Sequence, residues 1–324
     1  MMFSKLSKNS DPKRILVVSQ TNIGDVVLTC PAIDILRHDF PKARIDIVTG
    51  PKAVSLFADN PDFNIRVFDK QAALRKKMEW FLDLFQAHYD CVVDFRRTAL
   101  ALFLAPRYAT PLWTEKSFKG HKKQAHLNRL RQVYDFVAAS PGPYAVMMTK
   151  GDEQFFEGTV VSFSRGQGIV VIAPGAADSA KRWHPEGFAD LAELLSVSYK
   201  VIFVGDAKDA KIVDEIQGRM RSASLSLAGK INLRQLAYVL KQCAWVITHD
   251  SGVMHLASYL NVPVLALWGP TSLEKYAPWG LRSEIVRRNE KCPRCLDPQS
   301  KLEHCCMSFI EVRDVMEAAG KLRP

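Results

Sequence analysis

Three short segments concentrate the residue types that handle phosphates and protons. The first, Asn22-Ile23-Gly24-Asp25, sets a carboxylate between an apolar run and a helical one, with Gly24 allowing a close backbone turn. No G-x-G-x-x-G follows that run, which weakens an oxidoreductase reading. An Asp at a helix start also serves as a cap for backbone N–H groups, so the residues alone leave Asp25 two roles. The second segment runs from Ala173-Pro174-Gly175 through Ser179 and Lys181 to Trp183. A loop lysine holds phosphate as a point charge, and a close pair of opposite charges is worth about 4 kcal/mol at an effective dielectric of about 20. The alternative for Lys181 and Arg182 is a solvated surface pair.

The third segment, Thr248-His249-Asp250-Ser251-Gly252-Val253-Met254-His255-Leu256-Ala257, passes from a strand through a tight turn into a helix. Free N–H groups at such a helix start, with their partial positive charge, suit a diphosphate. Gly252 clears the approach, and His255 falls in the first turn. Gly205 with Asp206 and Asp209, and Trp268-Gly269-Pro270-Thr271, repeat the turn-at-strand-end pattern. A carboxylate there either accepts ribose hydroxyls or caps a helix.

These segments need strands and helices to position them. Short apolar runs at 14–18, 45–48, 65–68 and 91–93 have the character of buried parallel strands, and 26–38, 78–87 and 127–137 have helical period. A polar stretch over 140–168 interrupts the rhythm, and the domain boundary is set within it, giving 1–160 and 161–324. Strands are expected at 169–172, 201–204, 225–227, 245–248 and 264–268, alternating with helices at 186–196, 209–218, 233–241 and 252–260. Two α/β series in succession imply two parallel sheets. Asn232 with Gln235 forms a capping-box pattern, and a last helix at 312–322 is expected to cross back onto the first domain.

Composition narrows the class. The chain has 324 residues, 48% of them hydrophobic, and no apolar run of membrane-spanning length, so a cytoplasmic protein is expected. Net charge is +10, which suits a polyanionic partner. Arg96, Arg97 and the crowd Lys116, Lys119, His121, Lys122, Lys123, His126, Arg129 and Arg131 are expected to attract a phosphorylated or carboxylated acceptor, or to form a solvated face. Aromatic residues are sparse among them, which speaks against nucleic acid. Seven cysteines, unevenly placed, argue against a disulfide framework. Cys292, Cys295, His304, Cys305 and Cys306 have the residue types of a zinc site without a second C-x-x-C, and no metal is assigned to them.

Gly24-Asp25 with Thr29, Pro31 and Ala32, Lys181-x-Trp183, Asp250-Ser251-Gly252 with His255 and Leu256, and Gly269-Pro270-Thr271 together resemble the lipopolysaccharide heptosyltransferases of glycosyltransferase family 9. The resemblance covers nearly the whole chain. It implies a GT-B fold, with two Rossmann-like domains whose parallel sheets face across a cleft, the first binding the acceptor and the second the nucleotide sugar. It also implies inverting transfer of heptose from ADP-heptose to a hydroxyl of the lipopolysaccharide inner core, without cofactor or metal. A lipid-borne acceptor would bring the protein to the inner face of the inner membrane.

Carried over by position, Asp25 corresponds to the general base, Lys181 to the diphosphate ligand, and Asp250, Ser251, Gly252 and His255 to donor contacts. Ser179 falls near the phosphates, Asp209 at the ribose and Ile231 against the adenine, while Gly24, Arg96, Arg97 and Lys122 are assigned to the acceptor. The alternatives are a transferase for another nucleotide sugar, a nucleotide-sugar epimerase acting on donor alone, and a noncatalytic binding protein that has no need of Asp25.

Overall fold

The computed structural model describes residues 4–113, 118–137, 142–288 and 305–322. The chain divides into two units, Met1–Met147 and Met148–Pro324. The first is built on a five-stranded parallel sheet of β1 (Arg14–Val18), β2 (Arg44–Thr49), β3 (Phe63–Val67), β4 (Cys91–Asp94) and β5 (Tyr108–Ala109), in the order β3-β2-β1-β4-β5. β1 and β4 are apolar along almost their whole length because both faces of a covered parallel sheet are buried. The helix Ile23–Asp39 follows β1, and an unbroken run from Val26 to Leu36 is buried.

The second unit repeats the plan with six parallel strands: β6 (Ile169–Ala173), β7 (Lys200–Phe203), β8 (Leu225–Ser226), β9 (Trp245–His249), β10 (Val264–Leu267) and β11 (Ser283–Val286). Their order is β11-β10-β9-β6-β7-β8. In both sheets the strand order reverses direction at one place, between β1 and β4 and between β6 and β9. Open parallel sheets bind ligands beyond the strand ends at such a reversal. The register aligns Val18 with Asp94 and Ala173 with Thr248, so the loops that follow these strands emerge side by side.

Several expectations are corrected. The unit boundary lies at Met147, and the expected division at 160 falls inside a helical run over 150–164. Thr149 and Asp152 start that run with a capping box, Phe156 packs against Tyr238, and Arg234 pairs with Asp152 at 2.7 Å, which ties it to the helix Leu233–Gln242. The helix expected at 127–137 is Lys122–Arg131, because the His121 ring caps its start and Tyr134 turns into the core to bond Asp39 at 2.6 Å. The terminal helix Val312–Leu322 packs on β10, β11 and the helix Pro185–Ser196 of its own unit; its buried Val315, Ala318, Ala319 and Leu322 belong to that unit's core. β5 and β11, short edge strands, were not anticipated.

Cys30, Cys91 and Cys243 are buried free thiols, and burial pushes Cys91 and Cys243 up to about 12. Cys292, Cys295 and His304, and the side chains of Cys305 and Cys306, lie outside the described residues. Among the described residues no helix is long and apolar enough to cross a membrane.

The expected capping box is present: Asn232 accepts the N–H of Gln235 at 2.9 Å, and the Gln235 side chain accepts that of Asn232 at 3.0 Å. Asn232→Ala is expected to destabilise the second unit by about 1 kcal/mol, read as a lower urea midpoint with an unchanged slope.

Candidate active site

At the β6/β9 reversal, Trp183 is buried and fixed at two points. Its indole N–H donates to the Ile310 carbonyl at 2.9 Å, and its backbone N–H donates to Nε2 of His249 at 3.0 Å. Asp178 starts the short turn Ser179–Lys181 by accepting the Ala180 N–H at 3.0 Å. The loop is thereby pinned, and Lys181, two residues before Trp183, reaches across the reversal to Asp250. Its Nζ lies 2.8 Å from Oδ2 of Asp250, which is nearly buried. Nε2 of His255 stands 3.7 Å from the other oxygen of Asp250, and the His255 ring stacks on Trp279 with centroids 5.4 Å apart. The solvated alternative for Lys181 is thereby set aside. Ser179 is exposed, one turn from Lys181.

Ser251 begins the helix Gly252–Tyr259 without capping it by its side chain, its hydroxyl lying 3.0 Å from that of Thr248. Ser251, Gly252 and Val253 are half-exposed, whereas Met254 through Tyr259 are buried. The polar start of this helix is therefore the part that a ligand can reach, next to a held ammonium group.

Asp209 and Ile231 follow β7 and β8, further along the same sheet edge. Asp209 is wedged against two glycines: a Cβ on Gly175 would stand 2.2 Å from its carboxyl group, and one on Gly205 2.7 Å from its Cβ. It caps no helix with its side chain, and its Oδ2 accepts the Asp206 N–H at 2.9 Å. Burial raises its pKa. Asp209 thus clamps the loops after β6 and β7 together. Ile231 is half-buried just before the Asn232 cap.

In the first unit, Gly24 and Asp25 lie half-exposed in the first turn after β1, with the Asn22 amide donating to Asp25 at 3.2 Å. Thr29 is a positioning residue here: its hydroxyl donates to the Val26 carbonyl at 2.7 Å and pairs with that of Ser19 at 2.8 Å, tying the helix to the end of β1. Across the reversal, Gln20 donates to the Phe95 carbonyl at 2.9 Å. The Asp94 carboxylate gathers the N–H groups of Arg96 at 2.8 Å and Thr98 at 2.6 Å, so Arg96 and exposed Arg97 project from a fastened loop. Lys122 starts its helix half-buried.

Residue-type reasoning left Arg129 in a crowd and gave His249 no role. Arg129 is 5% exposed and donates from Nε to the Asp94 carbonyl at 3.0 Å and from Nη1 to Gln132 at 3.1 Å. Among the described residues its Nη2 has no hydrogen-bond partner. Burial, opposed by Asp94 and reinforced by Arg97, lowers its pKa to about 10. Arg129 and Leu130 are the buried residues of the helix Lys122–Arg131 and sit in its last turn, and no residue spacing in that basic segment sets Arg129 apart. His249 immediately precedes Asp250 and accepts from Trp183, so one residue ties together both ends of the Lys181–Asp250 bridge. Because Nε2 accepts, the ring proton resides on Nδ1.

Two parallel-sheet Rossmann-like units, each with its polar residues gathered at the strand-order reversal, have the plan of a GT-B-type fold. The profile described as "Glycosyltransferase family 9 (heptosyltransferase)" matches residues 107–306. The chain is 38% identical to lipooligosaccharide heptosyltransferase 2 of Haemophilus influenzae over 312 residues, covering 84% of this chain and 88% of that one. An E. coli ADP-heptose lipopolysaccharide heptosyltransferase II superposes with a TM-score of 0.77 at 21% identity over 95% and 98% of the two chains. The E. coli heptosyltransferase WaaC with ADP gives 0.74 at 16% over 95% and 99%. The protein belongs to glycosyltransferase family 9.

Burial lowers the His249 pKa to about 4, and Arg182 lowers it further, against an ordinary value of 6.5. The unfolded chain therefore binds the extra proton between those values. The contribution of a neutral His249 is complete above about pH 6.5 and is lost as pH falls toward about 4. His126, also lowered to about 4 by burial, acts in the same direction. Urea unfolding is expected to weaken from pH 7 to 4 by something on the order of 3 kcal/mol per histidine, and His249→Gln to remove its share of that slope.

Proposed function

We propose that this chain transfers heptose from ADP-heptose to a hydroxyl of the lipopolysaccharide inner core, with inversion, at the cytoplasmic face of the inner membrane. The observation that carries the donor half is the Lys181–Asp250 bridge beside the reachable start of the helix Gly252–Tyr259. In this reading the second unit binds the nucleotide sugar. Lys181, fixed by Asp250 and by the pinned Trp183 loop, takes the diphosphate together with the Ser251-Gly252 turn, and Ser179 lies at its edge. Asp250 and His255, both buried, act from behind that turn, Asp250 by holding Lys181 in place and His255 from 3.7 Å off the other oxygen of Asp250. Ile231 faces the base, and Asp209 shapes the ribose end of the pocket by holding its two loops together.

The acceptor half rests on charge. Residues 1–147 contain 22 Lys and Arg against 14 Asp and Glu, whereas the remainder contains 22 against 20, so most of the net +10 belongs to the first unit. Arg96, Arg97, Lys122 and the buried Arg129 stand around the end of β4, beside the turn that carries Gly24 and Asp25, and suit an anionic core oligosaccharide.

Chemistry follows from these placements. Asp25 removes the proton from the acceptor hydroxyl as its oxygen attacks the anomeric carbon, the bond to the diphosphate breaks on the opposite face, and Lys181 with the helix start stabilises the departing negative charge. Cations and dipoles fixed before the reaction need no reorganisation as charge develops, which makes such stabilisation worth about 3 to 4 kcal/mol per donor group. General-base action adds roughly 10²- to 10⁴-fold. This account uses no metal, so chelator is expected to leave the rate unchanged.

Calorimetry with ADP-heptose and ADP, beside UDP- and GDP-sugars, tests the donor assignment. Selective adenine-nucleotide binding, weakened at least about tenfold by Lys181→Ala, is expected from the loss of a charge-assisted contact; preference for another nucleotide would overturn the heptosyl assignment. Asp25→Asn is expected to lower kcat by roughly 10²-fold or more while sparing ADP-heptose affinity. Product formed from donor alone would instead indicate an epimerase.

A further inference from the structure

The helix Leu74–Gln86 is amphipathic, but much of its apolar side is turned outward. Only Leu84 is buried along it, while Leu74, Met78, Leu82 and Phe85 are 74%, 59%, 51% and 50% exposed. At 100° per residue these four fall on one arc of less than a third of the helix circumference, and Arg75, Lys76, Glu79 and Asp83 lie outside it. The neighbouring helix Leu100–Leu104 extends the stripe. Its Phe103, 61% exposed, meets Phe81 edge-on with ring centroids 5.8 Å apart, and Leu102 is 47% exposed. A contiguous apolar face of this extent marks an interaction surface rather than chance exposure.

Its position says what covers it. The helix Leu74–Gln86 starts beyond β3 and the helix Leu100–Leu104 starts beyond β4, so both begin at the carboxyl edge of the first sheet, where Arg96 and Arg97 project. The Arg96 guanidinium lies over the Phe68 ring at 5.9 Å, and Phe68 packs on Trp80 with centroids 4.9 Å apart. The loop that carries Arg96 and Arg97 runs directly into the helix Leu100–Leu104, whose Phe103 meets Phe81 at the edge of the exposed arc, so the basic loop and the apolar face adjoin. Exposed Lys70 and Arg97 lie beside it on the unit that holds most of the net positive charge, and Arg75, at the edge of the arc, pairs with Glu79 at 2.9 Å. An apolar helical face beside exposed cations is the pattern that seats in the interface of a bilayer with anionic headgroups.

We propose that this face, centred on Leu74, Met78, Leu82, Phe85 and Phe103, docks the protein on an anionic lipid bilayer, with the carboxyl edge of the first sheet at the headgroups. The occupant rests on the proposed lipid-borne acceptor, since a soluble acceptor gives the face no reason to adjoin the basic loop. The orientation brings Asp25 and the basic loop to the depth of a sugar chain leaving the membrane surface.

The test is co-sedimentation of the full chain with vesicles of phosphatidylethanolamine and phosphatidylglycerol, and with vesicles of phosphatidylcholine alone. The wild type is expected to partition onto the anionic vesicles, less so in high salt. A Met78→Ser/Leu82→Ser double variant and, separately, Phe103→Ser are expected to lose at least about tenfold of that partitioning. ADP binding in the same variants checks that the chain stays folded, and reads independently of whether heptose is transferred. Equal partitioning of wild type and variants, or no wild-type partitioning, overturns the proposal. So does a wild-type dimer without lipid that the same substitutions split, which would make the occupant a second copy of the chain.

Discussion

Strands β6 and β9 are hydrogen-bonded neighbours whose onward connections lead to opposite flanks of the sheet, to β7 on one side and β10 on the other. No crossover closes the space beyond their carboxyl ends, which is why ligands settle there in open parallel sheets. The two loops that border that space, 174–184 and 249–251, would each be loose without a partner. They are joined by the His249–Trp183 bond inside and the Lys181–Asp250 bridge outside. The inner bond requires a neutral ring because a doubly protonated imidazole cannot accept an N–H, and burial keeps it neutral. The outer pair is costly to break singly, since a buried carboxylate left without its cation keeps its desolvation penalty.

The first unit treats charge differently at the corresponding place. Asp94 spends its carboxylate on the N–H groups of its own loop, so Arg129 receives only a carbonyl and a side-chain amide, with Nη2 left over. Positive charge there is fixed but incompletely neutralised. In the second unit the cation is already matched to a carboxylate. Unspent positive potential favours a polyanionic ligand in general, and a cation whose position is set beforehand needs no reorganisation as charge develops beside it.

Much of this was legible in residue order. Continuous apolar runs flanked by Gly, Pro and Asp marked the strands and their carboxyl ends, and the helix starting near Gly252 lies where its turn residues put it. Lys181-x-Trp183 was readable as a unit, although not that Trp183 is the anchor and Lys181 the arm. What escaped depended on partners distant in sequence. Asp209 could be read as a ribose ligand or a cap, but not as a wedge between Gly175 and Gly205. The helical run over 150–164 looked like a linker because its stabilising contacts come from Arg234 and Tyr238. The periodicity near 78–87 pointed to a helix, yet period alone does not say how much of an apolar side finds a neighbour.

The packing of Val312–Leu322 over β10 and β11 has a consequence for synthesis. Each strand of the second sheet leaves the ribosome before the helix that covers its far flank, and β11 precedes that helix by the whole stretch from 287 to 311. Until Val315, Ala318, Ala319 and Leu322 emerge, the flank of the second core holding Leu265, Leu267 and Val286 stays wet. The first unit, complete at Met147, has no such delay. During translation the second unit therefore matures last, and a nascent chain halted near 300 is a chaperone client with a finished first domain and a sticky, half-closed second one.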